Sequence, residues 1–104
     1  MTIQEAQQQA LAIAEKYRHQ NAAQGKETWD ASAYMAGFVG DVGDLSKLIM
    51  ARAGYRDIEN HDAKIAHELS DCLWSVLVLA HELGVDLESE FANTMRELDK
   101  HLAE

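Results

Sequence analysis

The stretch Gly37-Phe38-Val39-Gly40-Asp41-Val42-Gly43-Asp44-Leu45 decides the fold, because it sets two carboxylates three residues apart within an apolar helical pattern. A later stretch, His67-Glu68-Leu69-Ser70-Asp71-Cys72-Leu73-Trp74, repeats this spacing and leads into a further apolar run. Residues three apart are neighbours on the surface of an α-helix. The sequence therefore predicts two amphipathic helices that each carry one pair of carboxylates.

The position of each pair around its helix follows from a rotation of about 100° per residue. With Phe38 at zero, Asp41 and Asp44 lie at about 300° and 240°. They border a predicted core stripe that contains Met35, Phe38, Val42, Leu45 and Ile49. Glu68 and Asp71 take the same angles beside a stripe made of Ile65, Leu69, Cys72, Val76, Ala80 and Leu83. Antiparallel packing of the two stripes would bring the four carboxylates to one rim of the core.

Composition favours one all-α domain over residues 1–104. The chain has no proline, six glycines and 47 % apolar residues, which suits helices that share a core. The single cysteine, Cys72, excludes an intramolecular disulfide, and its place on the apolar stripe predicts a buried thiol. The N-terminus lacks an apolar signal segment, and the longest apolar run is shorter than the roughly 18 residues that span a bilayer. We expect a cytoplasmic protein that binds no membrane.

The charge of the chain excludes one class of partner. A net charge of −9 without a basic stripe opposes the binding of a nucleic-acid polymer. Solubility accounts for most of the eighteen acidic residues. An anion that carries a divalent metal ion is not opposed in the same way.

Caps and periodicity predict four helices. The first begins at a capping box formed by Thr2 and Glu5 and runs to about Asn21. The second covers about Ala31 to Ala53 after the N-cap Asp30, and the third covers about His61 to Leu83. Glycines 54 and 84 end these two helices. The fourth is capped by Asp86 and carries to the C-terminus an apolar face of Leu87, Phe91, Met95, Leu98 and Leu102.

Four converging carboxylates need cations or protons, because each like-charge pair at ~4 Å costs on the order of 4 kcal/mol at an effective dielectric near 20. Mg²⁺ prefers such oxygen ligands. Zinc or a di-iron centre would call for histidine, and none of the five histidines follows a glutamate by three residues. The same spacing also fits carboxylates that point into water from amphipathic helices. From the residues alone, both interpretations stay open.

The two acidic stretches, Asp41 to Leu45 and Glu68 to Trp74, together resemble the paired motif of the MazG-type all-α nucleoside triphosphate pyrophosphohydrolases. That motif is Glu-x-x-Glu followed by Glu-x-x-Asp on two adjacent helices, and the resemblance extends from about Tyr17 to the fourth helix. It implies that Asp41, Asp44, Glu68 and Asp71 bind Mg²⁺, which Mn²⁺ could replace. It also implies a four-helix protomer that hydrolyses a nucleoside triphosphate to the monophosphate and pyrophosphate, in a house-cleaning role for the nucleotide pool. Here both glutamates of the first pair are aspartates, so metal binding depends on a close approach of the helices.

Candidate substrate contacts follow from the same reaction, because charge that develops in the transition state needs a fixed cation. Lys64, one turn before Glu68, is the first candidate, and Lys26, Arg56 and Lys100 come after it. Each of these four also fits a solvated surface residue. Trp29, just before the second helix, could stack on a nucleobase as in the resembled family, or it could form a hydrophobic staple.

The third helix predicts self-association, because Leu73, Trp74, Leu77 and Val78 widen its apolar surface to about 220°. One layer of neighbours does not cover such a surface, and members of the resembled family associate through these helices. We expect a homo-oligomer, either a dimer or a tetramer, with Trp74 at a subunit interface. The shortened first acidic pair keeps an alternative function open, a helical module that senses nucleotides or binds proteins without hydrolysis.

Overall fold

The computed structural model describes residues 1–103, which form four α-helices and no β-strand. The helices are α1 (Ile3–Ala23), α2 (Ala31–Arg52), α3 (His61–Glu82) and α4 (Leu87–Leu102). The all-α prediction is confirmed for this part of the chain, and the predicted bounds agree closely with the observed ones. The predicted extension of α4 to the last residue, Glu104, lies outside the described residues. Within residues 1–103, every helix is too short or too polar to cross a membrane.

Local signals explain where the helices begin and end. The Thr2 hydroxyl accepts a hydrogen bond from the Glu5 N–H at 3.0 Å, and the Glu5 carboxylate accepts one from the Thr2 N–H at 3.1 Å. This is the predicted capping box, which satisfies two N–H groups that the helix leaves free. Asp30 caps α2 in the predicted position. Gly54 and Gly84 follow α2 and α3 with φ values of 90° and 69°, a region that glycine adopts without strain.

The core lies where α1 and the start of α2 pack against the second half of α3. Its buried members are Ala10, Ala14, Tyr34, Leu77 and Val78. Two hydrogen bonds join α1 to α3 across this core. Gln7 Nε2 donates to the Leu77 carbonyl at 3.0 Å, and Trp74 Nε1 donates to the Ala10 carbonyl at 3.1 Å. The core is small because only three helices contribute buried residues to it, while Leu87 of α4 packs on it from outside.

Trp74 has its partners within its own chain. Its ring makes edge-to-face contacts with Tyr17 and Tyr34, at centroid distances of 6.1 and 6.0 Å, besides its hydrogen bond to α1. Within one chain, α1 packs on the side of α3 opposite the predicted stripe and covers part of the indole there. That Trp74 also contributes to a subunit interface stays a prediction.

The helices α2 and α3 pack along a different side from the one that we predict. The buried residues of α2 are Tyr34, Leu48 and Ala51, whereas Met35, Val42 and Ile49 of the predicted stripe are 45 to 52 % exposed. On α3, Leu69 and Leu83 are likewise exposed, and Ala80 is buried as predicted. The apolar arc on each helix is wider than one neighbour covers. The carboxylates border the contact between α2 and α3, where Asp41 and Glu68 are half-buried and Asp44 is exposed.

The fourth helix projects from the other three. Its first turn touches the start of α1, where the Gln4 N–H donates to Glu88 Oε1 at 3.4 Å. None of the residues Leu87–Leu102 is buried. The chain is 55 Å long, whereas a helix of 22 residues spans about 33 Å. We therefore refer to Leu87–Leu102 as the α4 arm.

Candidate metal centre

Three carboxylates meet between α2 and α3. One oxygen from each of Asp41, Asp44 and Glu68 lies within 4.8 Å of the other two. The local reason on α2 is that Asp44 precedes the buried Leu48 by four residues, so that both point toward α3. The structure thus brings together three of the four predicted ligands. That they bind a metal ion stays a prediction.

Asp71, the fourth predicted ligand, has another partner. Its Oδ2 lies 3.2 Å from Nε2 of His67, one helical turn earlier, so the two form an ion pair when the imidazole is protonated. Its charge nevertheless reaches the other carboxylates, since Asp71 contributes to the raised pKa of both Asp41 and Glu68. Asp71 therefore lies beside the carboxylate cluster without belonging to it.

The carboxylate cluster is unfavourable when it is fully ionised. Burial, and then the charges of Asp41, Asp71 and Asp44, raise the pKa of the Glu68 carboxyl above its ordinary value. Burial, followed by Asp71 and Asp44, likewise raises the pKa of Asp41. Glu68 Oε2 is buried without a hydrogen-bond partner, alone among the side-chain atoms of residues 1–103. Because buried acceptors are normally paired, the Glu68 carboxylate together with those of Asp41 and Asp44 fits a hard divalent cation such as Mg²⁺ or Mn²⁺.

Cys72 does not add a ligand to the cluster. It is half-buried rather than fully buried as predicted, because it lies near the exposed side of the α2–α3 pair. Burial, and then the charges of Asp41 and Glu68, raise the pKa of its thiol. The thiol therefore stays protonated at neutral pH, and only the thiolate is an effective metal ligand.

A cleft of about 960 Å³ opens beside the cluster. Asp41 and Asp71 line it together with four aromatic residues, Tyr17, Trp29, Tyr34 and Trp74. Neighbouring rings in this set meet edge to face, with centroid distances of 5.5 to 6.1 Å. Its volume falls within the roughly 300–1,000 Å³ that is usual for small-molecule sites. The predicted contact Lys26 lines this cleft, as do Arg18 and Asn21, which no sequence pattern singles out.

Trp29 forms a hydrophobic staple at the start of α2. It precedes the N-cap Asp30 and packs on Tyr34, the fourth residue of the helix, at a centroid distance of 5.5 Å. Gly37 allows this close approach, because a Cβ atom there would lie 3.2 Å from the indole. The staple interpretation is thus confirmed. Since Trp29 is also 47 % exposed, its ring still borders the open cleft, and a contact to a nucleobase stays a prediction.

A second, smaller cleft of about 460 Å³ lies on the other side of the cluster. Asp44 and Glu68 line it together with two cations, Lys64 and Lys47. Lys64 was predicted near the site. Lys47 was missed, although its position three residues after Asp44 was a usable signal. Asp41 lines the first cleft whereas Asp44 and Glu68 line the second, so the carboxylate cluster lies between the two clefts.

Two of the predicted substrate contacts lie elsewhere. Arg56 is exposed in the connection between α2 and α3, and it lines neither cleft. Lys100 is in the last turn of the α4 arm, which packs chiefly against α1. The structure therefore does not place either residue in the clefts beside the carboxylates.

The geometry thus places three carboxylates between an aromatic cleft and a cleft with two lysines. Carboxylates can hold a divalent cation, lysines can bind an anion, and aromatic rings can stack on a planar group. A ligand that combines an anion with a planar group is therefore chemically suited to the site. Comparison with family models, with curated proteins and with solved structures finds no match for this chain.

Proposed function

We propose that this chain is a Mg²⁺-dependent nucleoside triphosphate pyrophosphohydrolase of the MazG-like type. One observation carries the proposal, namely that Asp41 lines the aromatic cleft and also belongs to the carboxylate cluster. A nucleotide has the two matching parts, because its base stacks on aromatic rings and its phosphates bind divalent cations. The products would be the nucleoside monophosphate and pyrophosphate, and the setting would be the cytoplasmic nucleotide pool.

The residues have separate roles in this proposal. Asp41, Asp44 and Glu68 would hold Mg²⁺, and Asp71, the fourth ligand that the sequence predicts, would lie beside them in its pair with His67. Bound Mg²⁺ would offset phosphate charge and acidify a water for attack on phosphorus. Lys64 and Lys47 bind phosphate oxygens from the smaller cleft and stabilise the charge that develops on the leaving pyrophosphate.

The aromatic cleft would hold the nucleobase. Trp29 offers a partly exposed indole, and Lys26, Arg18 and Asn21 supply hydrogen-bond donors along the same wall. Such a cleft orients the nucleotide so that its phosphates reach Asp41. Orientation of this kind contributes to catalysis because it removes freedom from the reacting groups before the reaction.

The test is incubation with canonical and modified nucleoside triphosphates in the presence of Mg²⁺, with detection of pyrophosphate. Wild type should release pyrophosphate, Glu68→Gln should not, and Glu97→Gln on the α4 arm is the matched control that should remain active. Nucleotide binding without hydrolysis would contradict the enzyme proposal and favour a nucleotide-sensing module. Absence of both binding and turnover would favour a protein-interaction module.

We also propose that the protein works as a homo-oligomer, a dimer or a tetramer. Apolar side chains that remain exposed on α2, α3 and the α4 arm support this. Light scattering at micromolar concentration should give a mass that is a multiple of 11.6 kDa. A mass near 11.6 kDa itself would contradict self-association.

A further inference from the structure

A single copy of this chain exposes more surface than a compact protein of its size. Its accessible surface is 7734 Å², whereas a compact monomer of 11.6 kDa exposes about 5,800 Å². Its radius of gyration is 16.7 Å, compared with about 13 Å for a compact domain of this length. The excess is therefore about 1,900 Å² per chain.

One part of the excess lies on the α4 arm. Phe91, Met95, Leu98 and Leu102 follow a spacing of three or four residues, so they form one stripe, and they are 41 to 80 % exposed. The arm reaches beyond the packed helices, and α1 touches it near its beginning. An apolar stripe of this kind normally packs against another surface.

The other part is an apolar surface formed by α2 and α3 together. We call it the α2/α3 face, and it contains Met35, Val39, Val42, Ile49, Leu69 and Leu73, all exposed. On each helix these residues lie about 120° from the side that contacts the other helix, in the same rotational sense. Because the two helices run antiparallel, both sets fall on the same side of the pair, with Leu73 at the edge of the aromatic cleft.

The two surfaces match in length. The apolar positions of the arm, from Leu87 to Leu102, extend over about 22 Å, and those of α2, from Met35 to Ile49, extend over about 21 Å. Every copy offers one arm and one face. A two-fold dimer can therefore use both surfaces twice and leave neither uncovered.

We propose that a second copy of this chain covers both surfaces, with the α4 arm of each protomer seated on the α2/α3 face of the other. If each copy buries its excess, the interface covers about 3,800 Å² in total, within the range of obligate homodimers. This inference rests on the self-association proposed above and is independent of the hydrolase activity. A dimer with a different contact would refute the inference while self-association stands.

A lipid surface is a poorer occupant of the arm than a second copy. The polar side of the arm carries four carboxylates and two basic residues, Arg96 and Lys100, and the whole chain has a net charge of −9. Helices that lie on anionic membranes carry mostly lysine and arginine on the polar side. The acidity of this arm thus favours a protein partner.

The first experiment measures mass by light scattering at ~10 µM with helix content checked by circular dichroism. Wild type should have twice the mass of 11.6 kDa. Met95→Glu on the arm and Val39→Glu on the face should each give a monomer with unchanged helix content. Asn93→Glu, which adds the same charge on the opposite side of the arm, is the matched control and should remain a dimer.

Mixing the two disrupted variants tests which surfaces meet. The Met95→Glu chain keeps an intact face, and the Val39→Glu chain keeps an intact arm. A dimer of one chain of each kind therefore retains one intact contact, in which the arm of the Val39→Glu chain lies on the face of the Met95→Glu chain. The mixture should therefore recover mass toward the dimer. If the two variants stay monomeric after mixing, the contact of arm with face is refuted. A monomeric wild-type chain would refute it as well, whether the arm folds onto the face of its own chain or the chain binds phosphatidylglycerol vesicles.

Cross-linking covers the case in which the charged variants lose helix content. In a Cys72→Ala background, chains with Leu98→Cys are mixed with chains with Leu69→Cys and treated with a short thiol-specific cross-linker. A covalent dimer containing one chain of each kind is expected. Replacing Leu98→Cys by Arg96→Cys should prevent it, and equal yields from both positions would refute the proposed contact.

Discussion

The α2–α3 pair and the α4 arm are both incomplete in a single chain, but for opposite reasons. Between α2 and α3, three carboxylates crowd together and Glu68 keeps a buried oxygen without a partner. The arm instead exposes an apolar stripe with no residue buried. An ion of small size can complete the first region, whereas the second requires a surface of protein size. The comparison predicts that changes in one region leave the property of the other unaltered.

The largest expected effect is a loss of hydrolase activity when the carboxylate cluster is changed and the α4 arm is not. Removing a group in the outer shell of a metal site costs about 10–100-fold in affinity or activity, and loss of a direct ligand costs more. Glu68→Gln should therefore lower kcat/KM for the best nucleoside triphosphate by more than ~100-fold. Its mass in light scattering should equal that of wild type, because the arm is unaltered. A fully active Glu68→Gln variant would remove Glu68 from the metal centre.

The second effect is the stabilisation of the fold by Mg²⁺. At a concentration ~100 times its dissociation constant, an ion that binds only the folded state adds about 2.7 kcal/mol to the free energy of unfolding. Thermal unfolding at fixed protein concentration should show this gain in wild type and little of it in Glu68→Gln. Asp71→Asn should keep most of the gain, because Asp71 pairs with His67. An equally large loss in Asp71→Asn would mean that Asp71 joins the ligand set when the ion binds.

Local spacing was sufficient to predict the carboxylates and the ends of the helices. Asp41, Asp44 and Glu68 follow from three-residue spacing and helical rotation, and Thr2 and Asp30 act as caps through contacts within one turn. These relations depend on the geometry of a single helix, which is the same in every fold. The pairing of Asp71 with His67 was also within reach, since the two residues are four apart.

Packing between helices was not predictable in the same way. The apolar arc of α2 includes both the buried Leu48 and the exposed Val42, and periodicity cannot tell which edge meets α3. The environment of Trp74 depends on Ala10, 64 residues away along the chain. The stripe on the α4 arm was visible in the sequence, but within residues 1–103 none of its side chains is buried.

Trp74 supplies an intermediate case, because its surroundings are complete within one chain. Trp74→Phe removes the hydrogen bond from the indole to the Ala10 carbonyl and leaves a smaller ring between Tyr17 and Tyr34. We expect a loss of about 1–2 kcal/mol in the free energy of unfolding, measured by urea denaturation. Mass in light scattering should stay the same. A change of mass would show that Trp74 also contributes to a subunit interface.

The smallest effect concerns the charge of the cluster without metal. The pKa of Asp41 is raised above its ordinary value of 3.8, chiefly by burial and then by Asp71 and Asp44. The folded state therefore binds protons more readily than the unfolded state, and the ionised carboxylate destabilises the fold at neutral pH. This penalty is fully present above the raised pKa and is lost as the pH falls below 3.8.

Asp41→Asn removes that charge, so in EDTA at pH 7 the variant should be more stable than wild type by about 1 kcal/mol, the value for a well-solvated pair of charges near 5 Å. The difference between the two proteins should shrink as the pH is lowered toward 4, since wild type then becomes protonated. Urea denaturation at several pH values and one protein concentration measures it, with Glu97→Gln on the α4 arm as the control for a simple change of net charge. A difference in the free energy of unfolding that does not depend on pH would show that the amide acts through packing. An Asp41→Asn variant less stable than wild type would show that the ionised carboxylates do not destabilise the metal-free fold.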